Sequence, residues 1–353
     1  MAHSTDDLFS DAVRQLLTAR CTPQVVRNIE AGQSAQPLWQ LIDASGFADA
    51  LVGEGHGGAG LSLSAVYPVL ELCGAFALPV PLAETMLARA LLAQAGVAVP
   101  LGSIALGYAV PRVESSVDGG VVCDAVHGGH VADWVLVTQA AECLLLPVAQ
   151  AKKSAAGFYL DAMLEWPQGI ASAALRFPCR HNVKELQACI YAAQLAGAMQ
   201  AVFTRTLLYA NDRNQFGRPI GKFQAIQHQL SVMAEHAFAA RMAAQIGCRS
   251  SSFMPERLSV AVAKARTSEA AVEVAALSHS IHGAIGFTQE FDLQLYTRRL
   301  HLWRQAGGSE SYWHLALGEA LVDQHQGLAL DLIRNVTDSP PSPQLSASQG
   351  RGS

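Results

Sequence analysis

Small residues recur at helical spacing in one long stretch of this chain, and they constrain its fold more than any other feature. This face consists of Ile190, Ala193, Gly197, Ala201, Thr204 and Leu208. Side chains of this size allow two helices to approach each other closely. Residues 261–276 repeat the alanine-rich composition, and only 15% of all residues are charged. The sequence therefore predicts a bundle of closely packed helices over residues 181–336.

A region with a different pattern precedes the predicted bundle. Short runs of apolar and β-branched residues at 121–123, 134–138 and 143–147 are separated by Gly, Asp and Ala turns, which is typical of strands. Residues 6–97 instead have apolar residues at helical spacing. We therefore expect a mostly α protein with a small central β-domain. Its predicted parts are a helical domain (1–100), a reduced β-domain (101–180), the bundle (181–336) and a disordered tail (337–353), which is rich in Pro and Ser.

Charge and composition argue against several classes of protein. The net charge is −5 without a basic run, so we expect no nucleic-acid partner. No uninterrupted apolar stretch has the roughly 18–20 residues that span a bilayer. The N-terminus lacks the pattern of a signal peptide, and the seven cysteines are scattered, so we expect reduced thiols in the cytoplasm. The twelve histidines lack a metal-ligand spacing, so we expect no metal.

Two motifs in the predicted bundle point to a family. Residues 213–228 read RNQFGRPIGKFQAIQH, and residues 281–290 read IHGAIGFTQE. Together they resemble the C-terminal half of the acyl-CoA dehydrogenases, flavoenzymes that desaturate acyl-CoA thioesters. The resemblance spans roughly residues 30–330 and is strongest after Leu186. It implies the family's order of an N-terminal helical domain, a β-domain and a C-terminal four-helix bundle, and it implies FAD as the cofactor.

The first motif resembles the family's Arg-x-x-Phe-Gly element, which supplies a cation to the FAD of a neighbouring subunit. A pyrophosphate favours a fixed bidentate cation, which arginine provides. Arg213 and Phe216 match this element, with Gln215 between them. Phe223 and Gln224 match family positions near the dinucleotide half of the cofactor. The alternative is an arginine favoured only by the dipole at a helix C-terminus.

The second motif is similar to the family's Gln-x-x-Gly-Gly-x-Gly-Phe turn. Small residues there let backbone amides approach the adenosine side of the cofactor. The resemblance assigns Ser280, Gly283 and Ala284 to this role, although Ser280 replaces the usual Gln and Ala284 replaces the second Gly. A structural turn without a ligand is the alternative.

The residue that desaturation requires is missing. A carboxylate must remove the α-proton while hydride leaves the β-carbon for the flavin. The two positions at which the family places it fall on Gly307 and Gln187, and neither residue can act as a base. Glu185 lies two residues from Gln187, which on a helix turns its side chain about 200° away. Glu310, three residues beyond Gly307, is the remaining candidate.

The middle of the chain also departs from the family, since residues 103–112 lack its ring-binding pattern. Residues 282–293, 296–304 and 310–313 resemble the small subunits of heteromeric acyl-CoA dehydrogenases from bacterial steroid and bile-acid side-chain breakdown. The resemblance implies an α2β2 assembly with a catalytic partner, an acyl-CoA substrate and electron-transfer flavoprotein as acceptor. Arg298 and Arg299 are either solvated charges or an interface and nucleotide contact.

Four functions therefore remain open. The leading hypothesis is a subunit that completes a partner's FAD site. The second is a self-sufficient homo-oligomeric dehydrogenase that uses a displaced base such as Glu310. The third is a flavin-free helical scaffold that has kept the fold, and the fourth is a flavin oxidase or monooxygenase on the same fold.

Overall fold

The computed structural model describes residues 5–110, 120–179, 181–324 and 328–338, and it is mostly helical with small sheets, as predicted. The glycine-rich run 53–60 forms a turn, and the Ser62 hydroxyl then accepts a hydrogen bond from the Ala65 amide (3.2 Å) and caps the next helix. The N-terminal helices are α1 (Thr5–Arg20), α2 (Pro23–Glu30), α3 (Gln36–Ala44), α4 (Leu63–Ala75) and α5 (Leu82–Gln94).

Two small sheets form the middle of the chain. The first has the order β1-β3-β4-β7, with β1 parallel to β3 and the other pairs antiparallel, and the second is antiparallel with the order β2-β6-β5. The elements are β1 (Ile104–Tyr108), β2 (Val121–Val126), β3 (Trp134–Gln139), β4 (Glu142–Pro147), β5 (Lys152–Ala155), β6 (Ala162–Trp166), α6 (Gln168–Ala173) and β7 (Leu175–Pro178).

The C-terminal bundle is built around one long helix, α7. Its elements are α7 (Val183–Asp212), the hairpin strands β8 (Asn214–Gln215) and β9 (Arg218–Pro219), α8 (Gln224–Gly247), α9 (Arg257–His282), α10 (Leu293–Trp303), α11 (Glu310–Glu319) and α12 (Ala329–Asp338). The predicted small-residue face of α7 is used against α4. A Cβ on Gly197 would lie 1.9 Å from the Glu71 carbonyl oxygen, and one on Gly74 would lie 1.8 Å from that of Gln194. The two backbones are therefore in contact.

Helix α7 is long and apolar enough to cross a membrane by length and composition alone. However, 83% of its most apolar window is buried inside the protein, as expected for the central helix of a bundle. The predicted disordered tail begins within the end of α12, since Thr337 and Asp338 are helical. The rest of that tail, residues 339–353, lies outside the described residues, as do residues 111 and 112 of the segment 103–112.

Candidate functional site

A surface groove of about 360 Å³ lies at the C-terminal end of α7. It brings together six of the eight residues that the sequence assigned to the cofactor, although the two motifs are far apart in the chain. The predicted residues that line it are Arg213, Gln215, Phe216, Phe223, Ser280 and Gly283; the others are Tyr209, Ile220, Ile226, Ile281 and His282.

The hairpin between α7 and α8 projects an aromatic ring from the protein surface. Phe216 (φ 51°) and Gly217 (φ 77°) both have left-handed backbones, as a two-residue type I′ turn requires. This conformation is unfavourable for a bulky residue such as Phe216. The Phe216 side chain is 91% exposed. Its ring contacts Phe223 edge to face, with 6.2 Å between the ring centroids. The turn thus presents an apolar ring that the chain itself does not cover.

Arg213 provides the positive charge of the groove. It is the C-cap residue of α7, and its backbone is held by two hydrogen bonds, to the Tyr209 carbonyl (2.9 Å) and from the Ile220 amide (2.8 Å). Its side chain is exposed and makes no hydrogen bond or ion pair with any residue of the described ranges. A fixed backbone and an unpaired guanidinium suit the binding of an anionic group.

The opposite wall of the groove contains residues to which the sequence assigned no role. The rings of Tyr209 and His282 stack with 4.3 Å between their centroids, although the two residues are 73 positions apart in the chain. His282 Nδ1 lies 2.8 Å from the Ser278 carbonyl oxygen and therefore carries the proton. Burial lowers the pKa of His282, so its neutral form is favoured. The one feature of the sequence that could have assigned His282 to the groove is its position directly before Gly283 of the second motif.

The turn after α9 has the small residues that the motif predicts. Gly283 has a left-handed backbone (φ 63°), and no atom would contact a Cβ there within 4 Å, so its backbone is open to the groove. Ala284 and Gln224, the other two residues assigned to the cofactor, are exposed and do not line the groove, and their role stays a prediction. Ser280, which replaces the family's Gln, accepts a hydrogen bond from the Gln229 amide at 3.4 Å.

The two positions expected for the base lie next to each other, and neither carries a carboxylate. Gly307 packs against the start of α7, and a Cβ on it would lie 2.7 Å from the Ala188 nitrogen and 2.8 Å from its Cα. Its backbone is also left-handed (φ 69°), which disfavours any other residue. Gln187 is buried. The backbone of α7 therefore leaves no space for a side chain at residue 307, and at the other position the buried Gln187 amide stands in place of a carboxylate.

Glu310 is the first residue of α11, and its carboxylate pairs with the Arg304 guanidinium. Lys264 is fully buried nearby and donates to the Arg304 carbonyl (2.8 Å) and the Ser268 hydroxyl (2.9 Å). Burial lowers the pKa of Lys264 to about 7, although the negative charge of Glu310 partly opposes this. Glu310 is thus half-buried in a cluster of charges: its Oε1 pairs with Arg304, whereas its Oε2 has no hydrogen-bond partner among the described residues.

Several polar groups of the β-domain are hydrogen-bonded within the chain, although the buried hydroxyls of Tyr108 and Thr138 have no partner among the described residues. The Asp133 carboxylate accepts hydrogen bonds from the Ser103 amide (2.8 Å) and hydroxyl (3.0 Å). The Trp134 indole donates to the Leu101 carbonyl (3.0 Å). The described part of segment 103–112 is mainly the buried strand β1. With its exposed Arg213 side chain, the groove fits a charged part of FAD. The described residues of segment 103–112 do not fit the flavin ring, because most of them are buried in β1.

Arg298 and Arg299 are not solvated charges on a helix. Arg299 is only 2% exposed, and both guanidinium groups pair with the Glu30 carboxylate, at 2.9 and 2.7 Å. They therefore connect α10 to α2. In the described part of the chain, no group of three or more His, Cys, Asp or Glu side chains is arranged to hold a metal ion.

Comparisons with known proteins agree with this architecture. The sequence model described as "Acyl-CoA dehydrogenase, C-terminal domain" matches residues 187–321. "Acyl-CoA dehydrogenase IpdE2" of Mycolicibacterium smegmatis is 30% identical over 304 residues, which cover 84% of this chain and 92% of that protein. The ChsE4-ChsE5 complex from Mycobacterium tuberculosis contains a chain of similar fold (TM-score 0.73, 20% identity, 92% and 99% coverage). So does the Tcur3481-Tcur3483 steroid acyl-CoA dehydrogenase (ACAD) G363A variant (TM-score 0.72, 22% identity, 90% and 98% coverage).

Proposed function

The chain belongs to the acyl-CoA dehydrogenase family, and from this premise we propose that it is the subunit without a base in a heteromeric, FAD-dependent enzyme. The partner subunit holds the FAD ring and supplies the carboxylate that removes the α-proton. The two subunits form an α2β2 tetramer that desaturates an acyl-CoA thioester. This chain completes the partner's FAD site with the groove at the end of α7.

One observation carries this proposal: the groove is built and open, whereas the position of the base is closed. The Arg213 guanidinium is exposed without a partner in the described chain, and the Phe216 ring is 91% exposed although its edge contacts Phe223. At the same time, any side chain at residue 307 would overlap the Ala188 backbone. A chain with both properties is suited to a reaction whose base lies on another subunit.

The residues of the groove have separate roles in this function. When bound, FAD accepts a hydride from the β-carbon of the thioester. The Arg213 guanidinium balances the charge of the pyrophosphate, and the Phe216 ring covers an apolar part of the partner and excludes water. Backbone groups at Gly283 approach the adenosine half, and the neutral His282 ring supports them through its stack on Tyr209.

Steroid side-chain thioesters are the proposed substrates. The resemblance of residues 282–313 to the small subunits of steroid and bile-acid enzymes supports this class. The similarity of the fold to the ChsE4-ChsE5 complex and to the Tcur3481-Tcur3483 steroid ACAD variant supports the heteromeric arrangement. Electron-transfer flavoprotein is the proposed acceptor, and the cytoplasm the proposed location.

Dye-coupled dehydrogenase assays test the proposal. The chain is purified alone and after co-expression with a base-bearing acyl-CoA dehydrogenase subunit of the same organism, and each sample is assayed with steroid side-chain and straight-chain acyl-CoA thioesters. We expect turnover only in the co-expressed sample. Turnover by the lone chain would support a self-sufficient enzyme. Turnover that is the same with and without this chain would support a scaffold.

A further inference from the structure

Two thiols lie against each other in the core of the C-terminal bundle. Cys189 is in the second turn of α7, and Cys248 is the C-cap residue directly after α8. Their Sγ atoms are 3.3 Å apart, although the residues are 59 positions apart in the chain. Both residues are buried, and both are free thiols in this structure.

The packing around the two sulfurs keeps them together. Cys189 Sγ also donates to the Gly247 carbonyl at 3.3 Å, so it is directed at the last turn of α8. On its other side, this turn packs closely on α9, because a Cβ on Gly247 would lie 2.5 Å from the Ala263 Cβ. A disulfide bond is about 2.0 Å long, so the two sulfurs need to approach each other by only about 1.3 Å to form one.

The end of α8 is the part of this contact that a small reagent can reach first. Cys248 is followed by the polar segment 249–252, in which Ser251 is exposed. Its carbonyl accepts a hydrogen bond from the Ser64 hydroxyl at 3.2 Å, outside the hydrogen-bond ladder of α8. Helix ends open locally more readily than helix centres. Such an opening exposes Cys248 before Cys189, which lies within α7.

The environment of Cys248 makes its reaction depend on that opening. The hydrogen bond with Cys189 and burial raise the pKa of the Cys248 thiol above its ordinary value. Because the thiolate is the reactive form of cysteine, the protonated and buried thiol is inert in the closed fold. The reagent therefore has to be small and has to act while the end of α8 is open.

We propose that Cys189 and Cys248 form a redox-active pair that hydrogen peroxide converts into an intramolecular disulfide. In the first step, the Cys248 sulfur attacks one oxygen of the peroxide, the O–O bond breaks, and Cys248 becomes a sulfenic acid. The leaving hydroxide takes up the thiol proton and becomes water. In the second step, the Cys189 sulfur attacks the Cys248 sulfur and displaces the hydroxyl group, which leaves as a second water with the Cys189 proton. The two thiols together lose two electrons and two protons, and one peroxide becomes two waters.

The disulfide would stabilise the bundle in a reversible way. It would connect the start of α7 to the end of α8, one residue from the Ala188 backbone on which Gly307 packs. A bond that spans 59 positions of the chain removes conformational freedom from the unfolded state. The reaction requires neither FAD nor a partner subunit, so it does not depend on the proposed function.

Peptide mapping of the purified full-length chain tests this proposal. The chain is treated with hydrogen peroxide, the remaining thiols are alkylated in denaturant, and the digest is analysed by mass spectrometry. We expect a disulfide-linked pair of peptides that contains Cys189 and Cys248 and that separates after reduction with dithiothreitol. A disulfide with other partners would overturn the proposal, as would alkylation of both thiols or a sulfinic or sulfonic acid at Cys248 without the disulfide.

Urea unfolding of the peroxide-treated and the reduced chain tests the consequence. We expect treatment to raise the urea midpoint of the wild type by roughly 1 M and to leave that of Cys189→Ser unchanged. The matched control is Cys179→Ser, which removes a half-buried thiol outside the pair and should keep the full shift. A shift that survives in Cys189→Ser, or that is lost in Cys179→Ser, would overturn the proposal. The peptide map uses only the wild-type chain, so it decides the question if Cys189→Ser fails to fold.

Discussion

The two ends of helix α7 have opposite properties, although they belong to one rigid element. Near its start, the backbone at Ala188 is covered by Gly307 so closely that not even a Cβ fits. About 37 Å further along, at Arg213, the same helix ends in an open groove with an exposed cation and an exposed aromatic ring. The family's chemistry needs both a base and a cofactor contact. In this chain residue 307 has no space for a side chain, and the groove at Arg213 is the place that we propose for the cofactor contact.

Gly307→Ala, near the start of α7, is expected to have the largest effect of the substitutions. The added methyl group would overlap the Ala188 backbone at 2.7 Å, and the left-handed backbone adds strain. We expect a loss of roughly 3 kcal/mol or more in unfolding free energy, measured by urea unfolding. The matched control is Gly318→Ala in α11, where a Cβ meets nothing within 4 Å, and it should stabilise the chain slightly. Equal stability of the two variants would contradict the claim that the Ala188 backbone leaves no space for a side chain at residue 307.

Lys264→Met tests the closed end through its pH dependence. The pKa of Lys264 is lowered to about 7 in the fold, below the value of about 10.4 in an unfolded chain. The unfolded chain therefore binds more protons between these values, and the stability that Lys264 provides increases with pH across this window. We expect the difference in unfolding free energy between wild type and variant to change in favour of wild type by roughly 1.4 kcal/mol per pH unit from pH 7 to 9. The exposed Lys222→Met serves as control, and a slope equal to that of this control would mean that Lys264 is solvated.

Arg213→Ala tests the open end. In the complex with the partner, loss of a charge-assisted contact should weaken FAD retention by roughly 1.5–3 kcal/mol, measured from the flavin released on dilution. Arg218→Ala is the matched control, because it removes the same charge from the same hairpin at a residue that does not itself line the groove, although its guanidinium stacks on the lining residue Phe223. Equal flavin loss in both variants would mean that only the general charge of the hairpin matters.

Glu310→Gln should have the smallest effect on the reaction. Its carboxylate is paired with Arg304, so we expect the turnover of the complex to stay within about twofold of wild type. A decrease on the order of a thousandfold would assign the base to this chain and contradict the closed-end description. The dye-coupled assay of the co-expressed complex measures it.

The open end was more predictable from the sequence than the closed end. Arg213 and Phe216 lie in one short motif, and local chain geometry fixes their hairpin, so the sequence located most of the groove. The alanine and glycine spacing of α7 likewise predicted the backbone contact at Gly197. A local pattern was sufficient for the hairpin and for the face of α7, whereas the resemblance to the family was needed to assign Ser280 and Gly283 to the same site.

The closed end depends on contacts between distant residues. The sequence showed that Gly307 and Gln187 are not bases, but it could not show that Gly307 packs on the residue after Gln187. The stack of Tyr209 on His282 was missed for the same reason. The sequence left open whether Arg299 is a solvated charge or an interface and nucleotide contact, because its partner Glu30 lies 269 residues earlier in the chain; the Glu30 pair excludes the solvated charge. Such pairings follow from the packing of domains, which no local pattern records.

The visible absorption spectrum, recorded before and after addition of an acyl-CoA thioester, tests most directly whether FAD binding and turnover require a second, base-bearing subunit. It should be measured for the lone chain and for the chain co-purified with its base-bearing partner. We expect a colourless lone chain and a yellow complex whose flavin absorbance bleaches with the thioester. Stoichiometric flavin and bleaching in the lone chain would contradict the proposal that a partner subunit supplies the base and holds the FAD ring.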